Sequence, residues 1–453
     1  MNGLSVSLES IRPYFSGVIP THLATCSADG TPNVITVSVV HYVDSERVAV
    51  SRQFLRKTAD NVRNNTYAQL LVTDPVTFTG YQLDTEYLHT ETEGGTFEAM
   101  KADLDAIASQ SGMADVFRLR GADILRVVAC RKVPGSAEAA VSLPPEPDML
   151  RALDEFVRRL GQCVEYGELT RTALYALEDL FDVGHSILLL ADDVGHRVFA
   201  TESNGYDTPA FGAEVPFGVG LIGTAAKQQR SICVSHLGRA RMMQTAIRTS
   251  LEDRGDTLPG HEIPLPGLAV AQSVAAIPMI ALGRLRGVLY LESDRPGQFG
   301  QESERVWQIV AGHLASALLT LETHTHEDNP AQESPARSSP PGVVLEVTHY
   351  QADDSMFVGD RYIAKGVPGR ILWKMAREYV NEGRTNFSNR ELRLDEGIGL
   401  PAGADNLEAR LLVLRRRLAL QDCGIEIERV GRGQLSLRAS ASLKLNDVTT
   451  SAG

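Results

Sequence analysis

The segment Ser51-Arg52-Gln53-Phe54-Leu55-Arg56-Lys57-Thr58-Ala59-Asp60-Asn61-Val62-Arg63-Asn64-Asn65 decides how the first third of the chain is read. It follows a β-branched run, Val34, Ile35, Val37, Val39 and Val40, and a second apolar stretch, Val48 to Val50, both of which predict strands. Ala68 to Val72 predicts another strand beyond it. Arg52, Arg56 and Lys57 therefore gather where a strand hands over to a helix. Arg brings a bidentate fork, Lys a point charge, and the free N–H groups of a helix start add positive potential, so such a corner can hold a phosphate. The same charges also describe a solvated helix face.

From about residue 8 to 135 this order of strand, hairpin, strand, basic turn, helix and strand resembles the split-barrel flavin-binding domains of the pyridoxamine 5′-phosphate oxidase-like superfamily. The resemblance implies a flavin-binding β split barrel over residues 1–142. It implies FMN, with the phosphate on Ser51, Arg52, Arg56 and Lys57 and the ring beside the strand of Thr36, Val37 and Ser38. The same barrel hosts heme, FAD and deazaflavin binders. For heme, His22, His41 and His89 are the axial candidates, although a lone His is more often a structural or surface residue. Pyridoxamine phosphate oxidases proper end in an Arg-Leu-x-Pro type segment and a Trp-bearing end. This domain ends in Leu125 to Pro134 without them, so vitamin synthesis is not implied.

At 453 residues the chain exceeds what one core supports, and two to four domains are expected. Hydrophobic content of 43% and charged content of 22% fit globular domains. Cys26, Cys130, Cys163, Cys233 and Cys423 are an odd, scattered set with no Cys-x-x-Cys pair, so neither a disulfide framework nor a structural zinc site is expected and a reducing cytoplasm fits. No signal-like start and no bilayer-length apolar run is found, which predicts no membrane span.

After the Pro-rich joint Leu143 to Pro147, apolar residues return at helical spacing through Leu150, Leu153, Phe156 and Leu160. A helix over Leu169 to Leu180, a buried strand over Ser186 to Ala191 and a hairpin over Val274 to Ile280 and Arg286 to Ser293 follow. Between them stand the glycine-rich Pro216 to Ala226 and the segment Arg230 to Val234, with Phe299-Gly300-Gln301 opening a last helix. No Gly-Lys-Ser/Thr follows the glycines, so a phosphate loop is rejected. This order resembles GAF domains and implies a sensor domain over 147–323, α/β in class. Its small-molecule ligand, where the domain binds one, would sit under the loop Ser235 to Leu268. Cys233 and His236 read as packing and loop residues sooner than as a redox or metal pair. The stripe Val306, Ile309, Val310, Leu314, Ala317, Leu318 and Leu321 on the last helix suits its own sheet, the first helix or a second subunit, and a homodimer is expected.

Residues 324–342 are Pro-rich and almost devoid of apolar side chains, a flexible linker in which His324 and His326 are solvated. Beyond it, residues 361–438 hold 15 Lys plus Arg against 10 Asp plus Glu, in a chain whose net charge is −13. A basic end on an acidic protein is a footprint of nucleic-acid contact. Short strands over Val343 to Tyr350 and Met356 to Ile363, a helix over Gly369 to Glu382, a Ser388/Glu391 capping box, a helix from Leu407 to Leu418 and a hairpin about Gly431-Arg432-Gly433 complete the unit. Over 343–440 this resembles the winged-helix effector domain of OmpR-type regulators, α+β in class, and leaves 441–453 as a tail. The resemblance implies double-stranded DNA as partner. Asn406, Arg410, Val413 and Arg417 would face the groove, Arg415 and Arg416 the phosphates, and Arg432 would lie on the wing. The wing's usual Gly-Tyr is Gly433-Gln434 here, and the loop Asp395 to Pro401 departs from the family, so family-type polymerase contacts are not implied.

The whole reads as a multidomain, cytoplasmic one-component transcription regulator: split barrel, GAF domain, winged helix, with no catalytic or metal residue nominated. The rival reading is a flavin-dependent oxidoreductase regulated or localised by its two other domains.

Overall fold

The computed structural model describes residues 6–15, 21–53, 56–74, 77, 79–110, 118–134, 148–192, 195–235, 265–268, 270–324, 344–352, 354–400, 406–431 and 433–448. The first unit is built from β1 (Thr21–Cys26), β2 (Pro32–Val37), β3 (Val40–Tyr42), β4 (Arg47–Arg52), α1 (Arg56–Asn64), β5 (Tyr67–Thr73), β6 (Gly80–Glu91), α2 (Gly95–Gln110) and β7 (Gly121–Lys132). The strands form one curled antiparallel sheet in the order β2-β1-β5-β6-β7-β4-β3. Val37, Val48, Val50, Leu70, Val72, Leu83 and Leu125 fill its interior. The β-branched run from Val34 to Val40 predicts one strand and makes two. Its break lies at Ser38-Val39, where the Val39 N–H leaves the ladder and donates to Ser51 Oγ at 3.1 Å.

The central domain comprises α3 (Met149–Leu160), α4 (Tyr166–Phe181), β8 (His185–Asp192), β9 (Arg197–Asn204), β10 (Glu214–Pro216), α5 (Gly220–Gln228), β11 (Ile232–Ser235), β12 (Ser273–Ala281), β13 (Arg284–Ser293) and α6 (Gln301–His324). Its sheet runs β10-β9-β8-β13-β12-β11. Strand alternation splits the side chains between two cores. Leu188, Leu190 and Phe199 join α3, α4 and α6 on one face, whereas Ile187, Leu189, Val198 and Ala200 join α5 on the other. A Cβ on Gly223 would lie 2.1 Å from the Pro216 carbonyl, so the glycine-rich turn lets α5 close onto its own entry. Of the stripe on α6, Val310, Leu314 and Leu318 are spent on the domain's own core, and Ile309 stays exposed.

The C-terminal unit holds β14 (Val344–Tyr350), β15 (Ser355–Val358), β16 (Arg361–Ala364), α7 (Gly366–Glu382), β17 (Asn386–Ser388), α8 (Asn389–Leu394), α9 (Leu407–Gln421), β18 (Ile425–Gly431), β19 (Gln434–Ala439) and β20 (Ser442–Val448). A four-stranded sheet, β16-β15-β14-β20, and a three-stranded one, β17-β19-β18, enclose α7, α8 and α9 around Ile371, Leu372, Met375, Phe387, Leu411 and Leu414. Ser388 caps α8 by accepting from Glu391 N at 3.2 Å. The single strand expected over Met356 to Ile363 is a hairpin turning at Gly359, whose φ is +58°. Residues expected as a tail form β20 instead, parallel to β14, with Leu443 buried in the core.

Candidate functional site

Two basic places were expected to meet anions. At the first, β4 ends in Ser51-Arg52 and α1 begins at Arg56. Ser51 is buried, donates its N–H to Val39 O at 3.0 Å and accepts from Val39 N, which clamps the Ser38-Val39 break onto β4. Arg52 lies across β7 with Nε 3.8 Å from Asp123 Oδ1. That carboxylate also accepts from Thr90 Oγ1 at 2.6 Å. Burial pushes the Asp123 carboxyl up, against the opposing pull of Thr90 and Arg52. Gly121 makes the crossing sterically feasible, since a Cβ there would meet Thr90 Cγ2 at 2.6 Å and Arg52 Nη2 at 2.8 Å. Thr90, Gly121 and Asp123 were not legible as members of this corner, because only the β4–β7 and β6–β7 pairings bring them there.

The first turn of α1 carries no acidic residue, and Lys57 is exposed. The helix is anchored through its polar side: Asn33 Nδ2 donates to Thr58 Oγ1 at 3.0 Å and Asn61 Nδ2 to Thr25 Oγ1 at 3.0 Å. Thr36 is exposed, with Oγ1 3.2 Å from His22 Nδ1; Ser38 is exposed as well. Val37 points into the barrel core, so a ring beside this strand would meet Val37 through its backbone. Arg52, Lys57 and an acid-free helix start fit a phosphate. Ser51, already an acceptor for Val39, adds to it only by turning its O–H outward.

The histidines of the barrel are engaged locally. His41 Nδ1 is 4.0 Å from Asp103 and is held below its ordinary value chiefly by burial, while His89 Nε2 is 3.5 Å from Glu91. No group of three or more His, Cys, Asp or Glu able to hold a metal occurs among the described residues. Cys233 packs against the central core, and burial pushes its thiol well above the ordinary range, which opposes a reactive thiolate. His236, His324 beyond its backbone, and His326 lie outside the described residues.

The second basic place, α9, is docked on the central domain. Leu407, Leu411, Leu414 and Leu418 face the unit's own core. The opposite side presents Ala409, Leu412 and Val413, which pack into the central core, and Arg416. Arg410 Nη2 lies 3.3 Å from Asp192 Oδ1, with its guanidinium 5.5 Å from the centre of the Phe199 ring. Arg416 pairs with Glu202 and the Thr201 carbonyl and stacks over Phe211. Lys365 Nζ reaches Glu214 at 3.2 Å, a carboxylate shared with Arg197 at 2.8 Å. Asn406 holds the left-handed conformation at φ +45° and, instead of capping α9, donates Nδ2 to Ala191 O at 2.7 Å. Arg410 is only 4% exposed. Its charge holds the Asp192 carboxyl low against burial, whereas Glu202 is pushed up by burial despite Arg416.

The solvent-facing basic face expected on α9 is therefore covered in this conformation. Asn406, Arg410, Val413 and Arg416 meet the central domain. Arg417 differs: Nη2 donates to Tyr362 O at 3.0 Å and Nε to Ile363 O at 3.3 Å, so it is tied to β16 of its own unit. Arg415 likewise donates Nε to Ile427 O at 2.9 Å. Arg432 lies outside the described residues.

Comparison with known proteins places names on the first two units. The family model for pyridoxamine 5′-phosphate oxidase matches residues 9–127 and that for the GAF domain residues 163–319. The chain joins an oxidase-like barrel to a GAF domain. An FMN-binding protein from Syntrophomonas wolfei subsp. wolfei is 21% identical over 28% of this chain and 85% of its own, with a TM-score of 0.24. The GAF domain of a Coxiella burnetii phosphoenolpyruvate-protein phosphotransferase is 17% identical over 40% of this chain and 97% of its own, with a TM-score of 0.29. A free methionine-R-sulfoxide reductase from Neisseria meningitidis, solved with its substrate, is 17% identical over 41% and 98%, with a TM-score of 0.30. These scores are too low to carry an argument about activity. No curated protein matches the chain. No described helix is long and apolar enough to cross a membrane.

Proposed function

We propose that the chain is a one-component regulator: the barrel and the GAF domain sense a cofactor, redox state or small molecule, and the C-terminal unit answers by binding double-stranded DNA. The observation that carries the output is the make-up of that unit. A capped α8 precedes α9 with its Arg415-Arg416-Arg417 run, and the β18–β19 hairpin follows on the same core. Support for the flavin comes from the β4–α1 corner, where Arg52 and Lys57 would hold the phosphate, Arg56 stands at the helix start, and Thr36 and Ser38 flank the ring position. FMN bound there would supply a two-electron redox couple; the residues bind and orient it. A homodimer, the usual setting for two adjacent half-sites, belongs to this reading.

Duplex binding by the full chain, followed by fluorescence anisotropy, tests the output. A logarithm of affinity that falls linearly with the logarithm of salt is expected, and no binding at low salt, either by the full chain or by a variant in which α9 is released from the central domain, refutes it. The corner itself also supports a flavin oxidoreductase. Flavin absorbance bands together with turnover of a reduced nicotinamide would favour that enzyme, and a protein that neither carries nor takes up FMN removes the flavin from both readings.

A further inference from the structure

We infer that the acidic edge of the GAF sheet, formed by Asp192, Glu202 and Glu214, is a built-in competitor that holds α9 shut against duplex DNA. The inference rests on the DNA-binding output proposed above and concerns its control. Three cations of the C-terminal unit, Lys365, Arg410 and Arg416, each meet one of these carboxylates. The charge segregation along the chain is thus matched within one molecule, basic unit to acidic sheet edge. Between the ion pairs, Ala409 and Val413 are buried in the GAF core and Leu412 packs against it. Gly167 at the start of α4 admits Leu412, whose Cδ1 lies 3.1 Å from where a Cβ would stand.

The two occupants exclude one another. A guanidinium paired with a buried carboxylate is committed to it and not to a phosphate, and Ala409, Leu412 and Val413 of α9 are packed on the GAF core. The strand that holds α9 is also the strand that feels the other side of the sheet. On β9, Val198 and Ala200 pack against the α5 side while Phe199 and Glu202 serve the α9 side, and the β8–β9 register shifts at Leu188/Leu189 beside Glu202. A change in packing on the α5 side moves the same backbone that carries the clamp. Release follows from differential affinity, the sheet edge binding α9 in one state and the duplex binding it in the other.

The experiment compares the full chain with Asp192→Asn/Glu202→Gln, two isosteric changes outside the DNA-binding unit. The probe is a fluorescein-labelled mixed-sequence duplex at low salt, alongside hydrogen exchange of the 407–421 amides. The expected result is at least tenfold faster exchange in α9 and at least tenfold tighter duplex binding in the variant. Equal binding by both proteins overturns the clamp and leaves the DNA-binding reading standing. Unchanged α9 protection also overturns it, because the carboxylates are then not what holds the helix. Faster exchange with no duplex binding by either protein refutes the DNA-binding reading and the inference with it. Should the double variant fail to fold, Glu214→Gln alone is expected to give a smaller rise in both readouts, and no rise overturns the clamp.

Discussion

The barrel corner and α9 use the same residue types and treat them in opposite ways. At the corner, Lys57 is exposed and Arg52 keeps a loose 3.8 Å approach to one carboxylate. On α9, Arg410 is buried and Arg416 partly buried, each paired with a GAF carboxylate and stacked on a phenylalanine. The first arrangement leaves cations for a small anion. The second commits them to protein, and removing one partner of a buried pair is costly because the other charge stays stranded. An arginine run therefore does not by itself announce which anion it meets.

The sharpest way to break the comparison is to remove one cation from each place. Arg410→Ala, which strands Asp192, is expected to destabilise the GAF–α9 contact by about 3 kcal/mol. Arg197, 3.4 Å from Asp192, keeps the loss at the low end of that class. Variants that keep only Trp307, in the GAF core, or only Trp373, in the C-terminal unit, let denaturant unfolding be followed separately in each domain. Next in size, Arg52→Ala is expected to weaken FMN binding by ~10 to 100-fold, the worth of one charge-assisted hydrogen bond. Riboflavin, which lacks the phosphate, should bind both proteins equally; an equal loss for the two flavins would remove Arg52 from the phosphate.

Acidification should affect the two regions in opposite directions. Burial raises Asp123, so its contribution to stability is complete at low pH and is lost as pH rises through its folded value. Asp192 is held low by Arg410, so its contribution is present above the ordinary carboxylate value and disappears as pH falls through the lower folded one. Asp123→Asn should therefore flatten a slope that falls with rising pH above the ordinary carboxylate value, and Asp192→Asn one that climbs with pH below that value. Slopes that change in the same direction would contradict the assignment. Smallest of all, Lys57→Ala should shift stability by no more than ~0.5 kcal/mol, as for any exposed side chain free of special contacts.

Much of this architecture was legible locally. The alternating valines, the glycine turn before α5, the capping box at Ser388 and the leucine stripe of α9 each encode an element through period, backbone freedom or a satisfied N–H. β20 escaped because Leu443 and Leu445 gain meaning only opposite β14, which lies almost a hundred residues earlier. Arg417 stands on the Arg410 side of α9, as its spacing implies, but its donors go to the Tyr362 and Ile363 carbonyls, and helical spacing gives the order of faces without saying which backbone carbonyls wait beside them. Asp192, Glu202 and Glu214 carried no signal of their own, being ordinary polar residues near strand ends.

What the amino-acid order determined alone is the succession of three units and the concentration of positive charge in the last of them, since propensity, periodicity and composition act within a few residues. Which cations remain available and which are already neutralised was decided only by tertiary packing. A charge's partner is set by distance and burial, and Asp192 and Arg410, more than two hundred positions apart in the chain, become neighbours only when the GAF sheet and α9 are both folded and docked.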